Sequence, residues 1–121
     1  MSTTYQEHEK GFRAWGQWEV LAADETFIVK KITVDAGKSL HLQTHDHRRE
    51  VWTIVRGTAE VTLGREQFLK TRDDIVLIPV REFHRIANVG KEPLVFIEVQ
   101  TGDLLSEADI VHYDDDYRPV K

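Results

Sequence analysis

Cysteine is absent from the 121 residues, which excludes disulfides, thiolate metal sites, iron–sulfur clusters and a cysteine nucleophile together. Long apolar runs are missing too: none exceeds four residues, and one of these, Ile75–Ile78, is continued past Pro79 by a single valine. That is far short of the roughly 20 residues a bilayer-spanning helix needs, so no membrane partner is expected. The first residues, MSTTYQEHEK, hold no apolar stretch of the kind a signal peptide requires, and a cytoplasmic location is expected. Positive charge is in deficit, with 16 Lys and Arg against 21 Asp and Glu and a formal net charge of −5. Such a chain lacks the basic footprint of nucleic-acid binding. What remains is ordinary globular composition, 40% apolar and 31% charged, at a length suited to one domain over residues 1–121.

Strand signals dominate the middle of the chain. Phe27–Val34, Val51–Val55, Ala59–Leu63, Ile75–Ile78 and Leu94–Val99 are rich in β-branched and aromatic residues. Turn signals such as Arg56-Gly57-Thr58 and Asn88-Val89-Gly90-Lys91 separate them. Spacing of this kind predicts an all-β sandwich or barrel with seven or eight strands between Trp18 and Gln100. The ends read differently. Residues 1–10 are polar and expected to be flexible. Residues 103–121 form a C-terminal extension in which Ser106-x-x-Asp109 signals a short helical turn. The acidic run at Asp114, Asp115 and Asp116 reads as a solvated face.

Three of the six histidines, His41, His45 and His47, fall within seven residues, in the segment His41-Leu-Gln43-Thr-His45-Asp-His47-Arg48-Arg-Glu50. Alternation along a strand puts His41, Gln43 and His45 on one face. Glu50 stands at an odd offset from His45, so it shares that face only if the polar stretch 46–49 turns the chain and a new strand begins. A later segment, from Asp73 through Pro79 to His84 and Asn88, offers a further imidazole. Gln43, His45, Glu50 and His84 together make an N/O donor set suited to one divalent transition metal.

These two segments resemble the paired motifs of the cupin superfamily. The first cupin pattern runs Gly, five residues, His-x-His, three or four residues, Glu, six residues, Gly; Gly37 to Gly57 fits it with Gln43 in place of the first His. The second pattern fits from position 73 to Asn88, with Asp73 and Arg81 where it has glycine. More narrowly, Gln-x-His-x-His-Arg-x-Glu with Trp52 two residues on resembles the signature of type II phosphomannose isomerases, and the similarity runs from about Arg13 to Arg118. In that family the cupin is often the C-terminal part of a bifunctional enzyme that also makes GDP-mannose. The chain departs from the family at His41 (usually Ser), Val51 (usually His) and His112 (usually Arg), and in lacking a Gly between Tyr117 and Arg118.

The resemblance implies a single-domain cupin, a jelly-roll β-barrel or double-stranded β-helix, with a divalent ion on Gln43, His45, Glu50 and His84. Zinc is the first expectation, with nickel, cobalt, manganese or iron as alternatives. The implied activity is metal-dependent aldose–ketose isomerisation of a sugar phosphate, mannose 6-phosphate to fructose 6-phosphate. For the general base, His47 has a suitable ordinary pKa and Glu98 is the other candidate. Arg48 is assigned to anchoring or polarising the substrate, because its fork binds oxyanions bidentately and the family motif includes it. Lys30 and Arg85 are the candidates for the phosphate; alternation lets only one of Lys30 and Lys31 enter the barrel, and family similarity favours Lys30.

Plainer readings stand beside these. His41 reads first as a strand-face histidine that only hydrogen-bonds, His8 and His112 as surface groups, and Trp15, Trp18 and Trp52 as packing. Two other functions stay open: a sugar-phosphate-binding cupin without turnover, and another metallo-cupin enzyme such as an oxygenase. A homodimer is expected from the edge strands and apolar outer face of so small a barrel, with the N-terminal strand contributing across the interface.

Overall fold

The computed structural model describes residues 5–120, and four of its strands begin where the apolar runs at Phe27, Ala59, Ile75 and Leu94 do. The first three are β1 (Lys10–Arg13), β2 (Gly16–Ala23) and β3 (Phe27–Val34). They are followed by β4 (Leu42–His45), β5 (Arg48–Arg56), β6 (Ala59–Leu63) and β7 (Glu66–Lys70). Then come β8 (Ile75–Ile78), β9 (His84–Asn88), β10 (Leu94–Gly102) and β11 (Ile110–Tyr113). A six-stranded sheet in the order β1-β2-β3-β10-β5-β8 faces a five-stranded one in the order β11-β4-β9-β6-β7. Every pairing is antiparallel, and this is the two-sheet jelly roll that the cupin resemblance implies.

Alternation sets the core. On β3, Ile28, Lys30, Ile32 and Val34 turn inward while Lys31 is exposed; on β10 the inward set is Leu94, Phe96, Glu98 and Gln100. Phe96 pairs with Ile32 on one side and Ile54 on the other, making a dry row across three strands. One step along, Glu98 pairs with Lys30 and Trp52, and the interior becomes polar. Burying the aliphatic and phenylalanine side chains of this set contributes about 1.5–3 kcal/mol each, an upper figure that chain entropy offsets.

Nine strands, rather than seven or eight, lie between Trp18 and Gln100, because the short, mostly exposed β7 carries little apolar signal of its own. Neither end is an appendage. Tyr5 is 3% exposed, His8 N–H donates to the Val20 carbonyl, and Lys10 opens β1, so residues 5–10 are docked rather than flexible. Residues 1–4 of that stretch, and residue 121, lie outside the described residues. Strand β1 pairs with β2 of its own chain. The C-terminal stretch adds β11 beside β4, buries Leu105, and forms a 3-10 turn at Glu107–Asp109 with Ser106 accepting from Ala108 N–H. The edge strand β8 leaves Ile75 and Leu77 exposed. Among the described residues no helix is long and apolar enough to cross a membrane.

The glycine-type backbone of the cupin pattern persists even where glycine does not. Gly57 has φ 91°, and a side chain there would crowd the Pro93 carbonyl. Asp73 and Arg81, at two glycine positions of the pattern, hold φ 77° and 63°, in the left-handed region that ordinary residues avoid.

Candidate metal centre

The donor set is assembled by a two-residue interruption. Strand β4 ends at His45, the chain turns at Asp46 and His47, and β5 restarts at Arg48. Asp109 holds that turn: its carboxylate accepts from Asp46 N–H at 3.2 Å and His47 N–H at 3.0 Å. The turn resets alternation, so Arg48, Glu50, Trp52 and Ile54 all point inward, toward the face that carries Gln43 and His45. His84 opens β9 directly across from Gln43. A backbone bond from Arg81 N–H to the His45 carbonyl, 2.6 Å, ties the end of β4 to the turn before β9.

His45, Glu50 and His84 bring their donor atoms within 4.8 Å of one another, all buried. Their rings and carboxylate are close-set: His45 and His84 centroids lie 4.5 Å apart, and His45 Nε2 is 3.4 Å from Glu50 Oε2. Gln43 Oε1 joins them, 3.2 Å from His45 Nε2. His84 Nδ1 donates to the Glu82 carbonyl at 2.9 Å, which fixes its tautomer and leaves Nε2 as an acceptor. His45 Nδ1 is buried without a hydrogen-bond partner.

Protonation states agree with metal ligation. Burial lowers His45 to about 3, against the raising influence of Glu50, and burial likewise lowers His84. Burial alone would push the Glu50 carboxyl up; the charges of His45 and Arg48 outweigh that and hold it below the ordinary carboxylate range. With both imidazoles neutral, the Arg48 guanidinium is the cation that remains to do so. It donates to Glu50 Oε2 through Nε and Nη2, each at 2.9 Å. The cluster is thus an amide oxygen, an ionised carboxylate and two neutral imidazoles with their lone pairs converging. That set fits a divalent ion.

A cavity of about 430 Å³ opens onto this cluster, a volume in the range of small-molecule sites. Glu98 lines it, accepting from Trp52 Nε1 at 3.1 Å and Gln100 Nε2 at 2.6 Å. Burial, and next the charge of Glu50, raise the Glu98 carboxyl to about 8. Lys30 also lines the cavity but is enclosed: Nζ is 3.0 Å from both the Tyr5 hydroxyl and Glu107 Oε2, and lies 4.1 Å and 4.4 Å from the Tyr5 and Trp18 ring centroids. The Tyr5 hydroxyl donates in turn to Glu107. Against the upward push of burial, Lys30 keeps the Glu107 carboxyl below its ordinary range.

Of the residues singled out from sequence, Gln43, His45, Glu50 and His84 converge, and Lys30, Arg48, Arg85 and Glu98 line the same cavity. His47 does not. It occupies the turn where alternation breaks, its side chain is 50% exposed, and it faces Asp103 at 3.4 Å, outside the cavity. Arg48 is 2% exposed with its donors on Glu50, the Ser106 carbonyl and Tyr5, so it positions Glu50. Arg85 is bound to Asp115 at 2.5 Å, a partner for one residue of the acidic run. Sequence reasoning missed Tyr5 and Glu107, which lie outside both motifs. It also read His41 and His112 as separate bystanders, whereas their rings stack edge to face 5.6 Å apart at the cavity mouth. Val51 is on the outward face of β5, so that departure does not touch the cavity.

The chain matches the family described as mannose-6-phosphate isomerase C-terminal over residues 2–115. The xanthan biosynthesis protein XanB of Xanthomonas campestris is 47% identical over 110 residues, which are 91% of this chain and 24% of that protein. The alginate biosynthesis protein AlgA of Pseudomonas putida is 45% identical over 115 residues, 95% of this chain and 24% of that protein. The chain therefore spans about a quarter of the length of the curated relatives it matches. Among solved structures, the cupin domain of Schizosaccharomyces pombe Cnp3 superposes with a TM-score of 0.70 at 23% identity, over 72% of this chain and 64% of that one. That likeness shows the fold, a cupin, and nothing finer.

Proposed function

The chain belongs to the mannose-6-phosphate isomerase C-terminal family, and on that premise we propose that it is a metal-dependent aldose–ketose isomerase of hexose 6-phosphates. Mannose 6-phosphate to fructose 6-phosphate is the reaction assigned first. One observation carries the reading: a metal-type donor set and a proton-carrying carboxyl, Glu98, share one cavity.

Isomerisation moves a proton between C1 and C2 through an enediol. It needs an electrophile for the two neighbouring oxygens and a group that takes and returns the proton. A divalent ion on Gln43, His45, Glu50 and His84, zinc first among the candidates, supplies the electrophile, since a single carboxylate leaves it net positive with room for substrate oxygens. The chain's own residues supply the rest. Glu98, near 8, has both its acid and base forms accessible at neutral pH, the condition for accepting a proton from one carbon and returning it to the other. Trp52 and Gln100 hold its two oxygens and so fix its aim. Arg48 keeps Glu50 ionised and oriented. Trp18 and Ile32 contribute apolar wall that keeps bulk water from the reacting carbons.

The test is a coupled assay of hexose 6-phosphate isomerisation on metal-reconstituted protein, run beside Glu98→Gln. The variant is expected to keep its metal by elemental analysis and to lose about 10²–10⁴-fold in kcat. Saturable sugar-phosphate binding with no turnover in any divalent ion would assign the cavity to binding alone. Oxygen uptake by anaerobically iron-loaded protein would assign it to an oxygenase.

A further inference from the structure

Six cationic or imidazole side chains that are not metal ligands could meet an anion in this cavity, and the structure sorts them by whether they are already engaged. The two deep ones are. Lys30 is 3% exposed and held by Glu107, Tyr5 and two aromatic faces; Arg48 is held by Glu50 and the Ser106 carbonyl. A phosphate reaching either would have to displace a carboxylate from a buried cation, which costs more than a surface contact returns. The four at the mouth are different. His41 and His112 are exposed, and among the described residues neither imidazole has a hydrogen-bond or ion-pair partner; their rings meet edge to face. Arg13 is 44% exposed and 3.6 Å from Glu107, a loose pair, while Arg85 is held by Asp115, itself 88% exposed.

The placement sets the pair beside the donors. His112 lies on β11 in register with the donor Gln43, and His41 precedes Gln43 by two residues, just before β4 begins. Both line the cavity that Gln43, Glu50 and His84 also line.

We propose that His41 and His112, flanked by Arg13 and Arg85, form an anion subsite at the cavity mouth that takes the phosphate monoester group of the substrate, and that buried Lys30 is a structural cation with no part in phosphate binding. The assignment rests on the reading of the cavity as a sugar-phosphate site. Two imidazoles and two guanidiniums lining one cavity supply directed N–H donors, the chemistry that binds a tetrahedral dianion. Neutral sugars lack the group this subsite binds and lose its contribution to affinity.

The probe is inorganic phosphate, titrated into the zinc-loaded full chain at constant pH and ionic strength with chloride as control. Imidazole ¹H–¹⁵N signals give the readout. His41 and His112 signals are expected to shift saturably, and the His41→Ala/His112→Ala double variant to bind phosphate about tenfold more weakly, the equivalent of losing one charge-assisted contact. Both substitutions lie on the exposed rim, so folding is preserved. Shifts confined to His45 and His84, with unchanged affinity in the double variant, would mean that phosphate sits on the metal and would overturn the subsite. No turnover is involved in this measurement. Absent isomerase activity with intact histidine shifts would sink the enzymatic reading alone, whereas full activity with unresponsive histidines would sink the subsite alone.

Discussion

Two rows of side chains, one residue pair apart on the same three strands, are equally shielded from water and held by opposite means. Ile32, Phe96 and Ile54 form one row, Lys30, Glu98 and Trp52 the next, and none of the six exceeds 5% exposure. The first row is held by area: its members need only the right volume. The second is held by pairing, Lys30 with Glu107 and Tyr5, Glu98 with Trp52 and Gln100. Burial depth therefore says nothing of chemistry here. The dry row tolerates exchange and the polar row tolerates no unmatched removal, because an orphaned charge there keeps its full desolvation cost.

The largest effect comes from the dry row. Phe96, fully buried between Ile32 and Ile54 and tilted against Trp52 at 5.1 Å, leaves a cavity when cut to Ala. Phe96→Ala is expected to cost about 3–5 kcal/mol by urea denaturation, and Phe96→Leu under about 1.5 kcal/mol. If the leucine variant were as damaged as the alanine one, shape rather than volume would govern this row, and the contrast with its neighbour would blur.

Two carboxylates in the polar region sharpen the contrast further. Glu50 and Glu98 both face the cavity and share the Trp52 indole N–H, and burial pushes both carboxyls up, yet they end in opposite states because Arg48 bonds only the first. Glu50→Gln leaves a buried guanidinium without its anion and is expected to cost about 3 kcal/mol in EDTA-treated protein. Glu98→Gln replaces a carboxyl that is protonated below about 8 and so changes little at acid pH. The sign at higher pH follows from linkage. The folded carboxyl titrates near 8 and the unfolded one at 4.5, so the folded state holds the proton more tightly between those values. Its contribution is complete below 4.5 and is lost as pH rises through 8; glutamine has no such loss. The stability difference should therefore swing toward Glu98→Gln between about pH 5 and pH 9, read from urea midpoints. A flat difference would show Glu98 to be ionised throughout.

How much of this was legible in sequence depends on how far each contact reaches along the chain. The four donors were readable because two long spaced patterns and strand alternation constrain them locally, down to the reset between His45 and Glu50. His47 was misplaced for the same reason: alternation assigns faces within a strand and is silent for a residue in the turn between two, so an imidazole beside the ligands was assigned to a cavity that it does not line. Tyr5 and Glu107 were illegible. They are 102 residues apart, one in a polar N-terminal stretch and one in a 3-10 turn, and only the closed barrel brings both to Lys30. The pairing of His41 with His112 likewise needed the β4–β11 register.

The smallest effect tests the pattern's glycines outside both rows. Asp73 and Arg81 stand where the cupin pattern has Gly, and both keep the glycine backbone, φ 77° and 63°. What pins them is visible: Asp73 N–H donates to the Ile54 carbonyl at 2.8 Å, and Arg81 N–H to the His45 carbonyl at 2.6 Å. These bonds belong to the backbone and survive substitution, and both side chains are exposed, so little packing is lost. Left-handed backbone costs an ordinary residue about 1–2 kcal/mol, while glycine returns about 0.4–1 kcal/mol of that through its freer unfolded chain. Asp73→Gly and Arg81→Gly are each expected to gain about 0.5 kcal/mol, additively, since the two turns share no partner. Metal affinity should stay unchanged in Arg81→Gly, because the ligand His45 is tethered through its carbonyl and not through the arginine side chain. A loss of stability in either variant would mean that the side chain, not the amide, holds the turn, and that the glycine of the pattern was replaced for a reason beyond conformation.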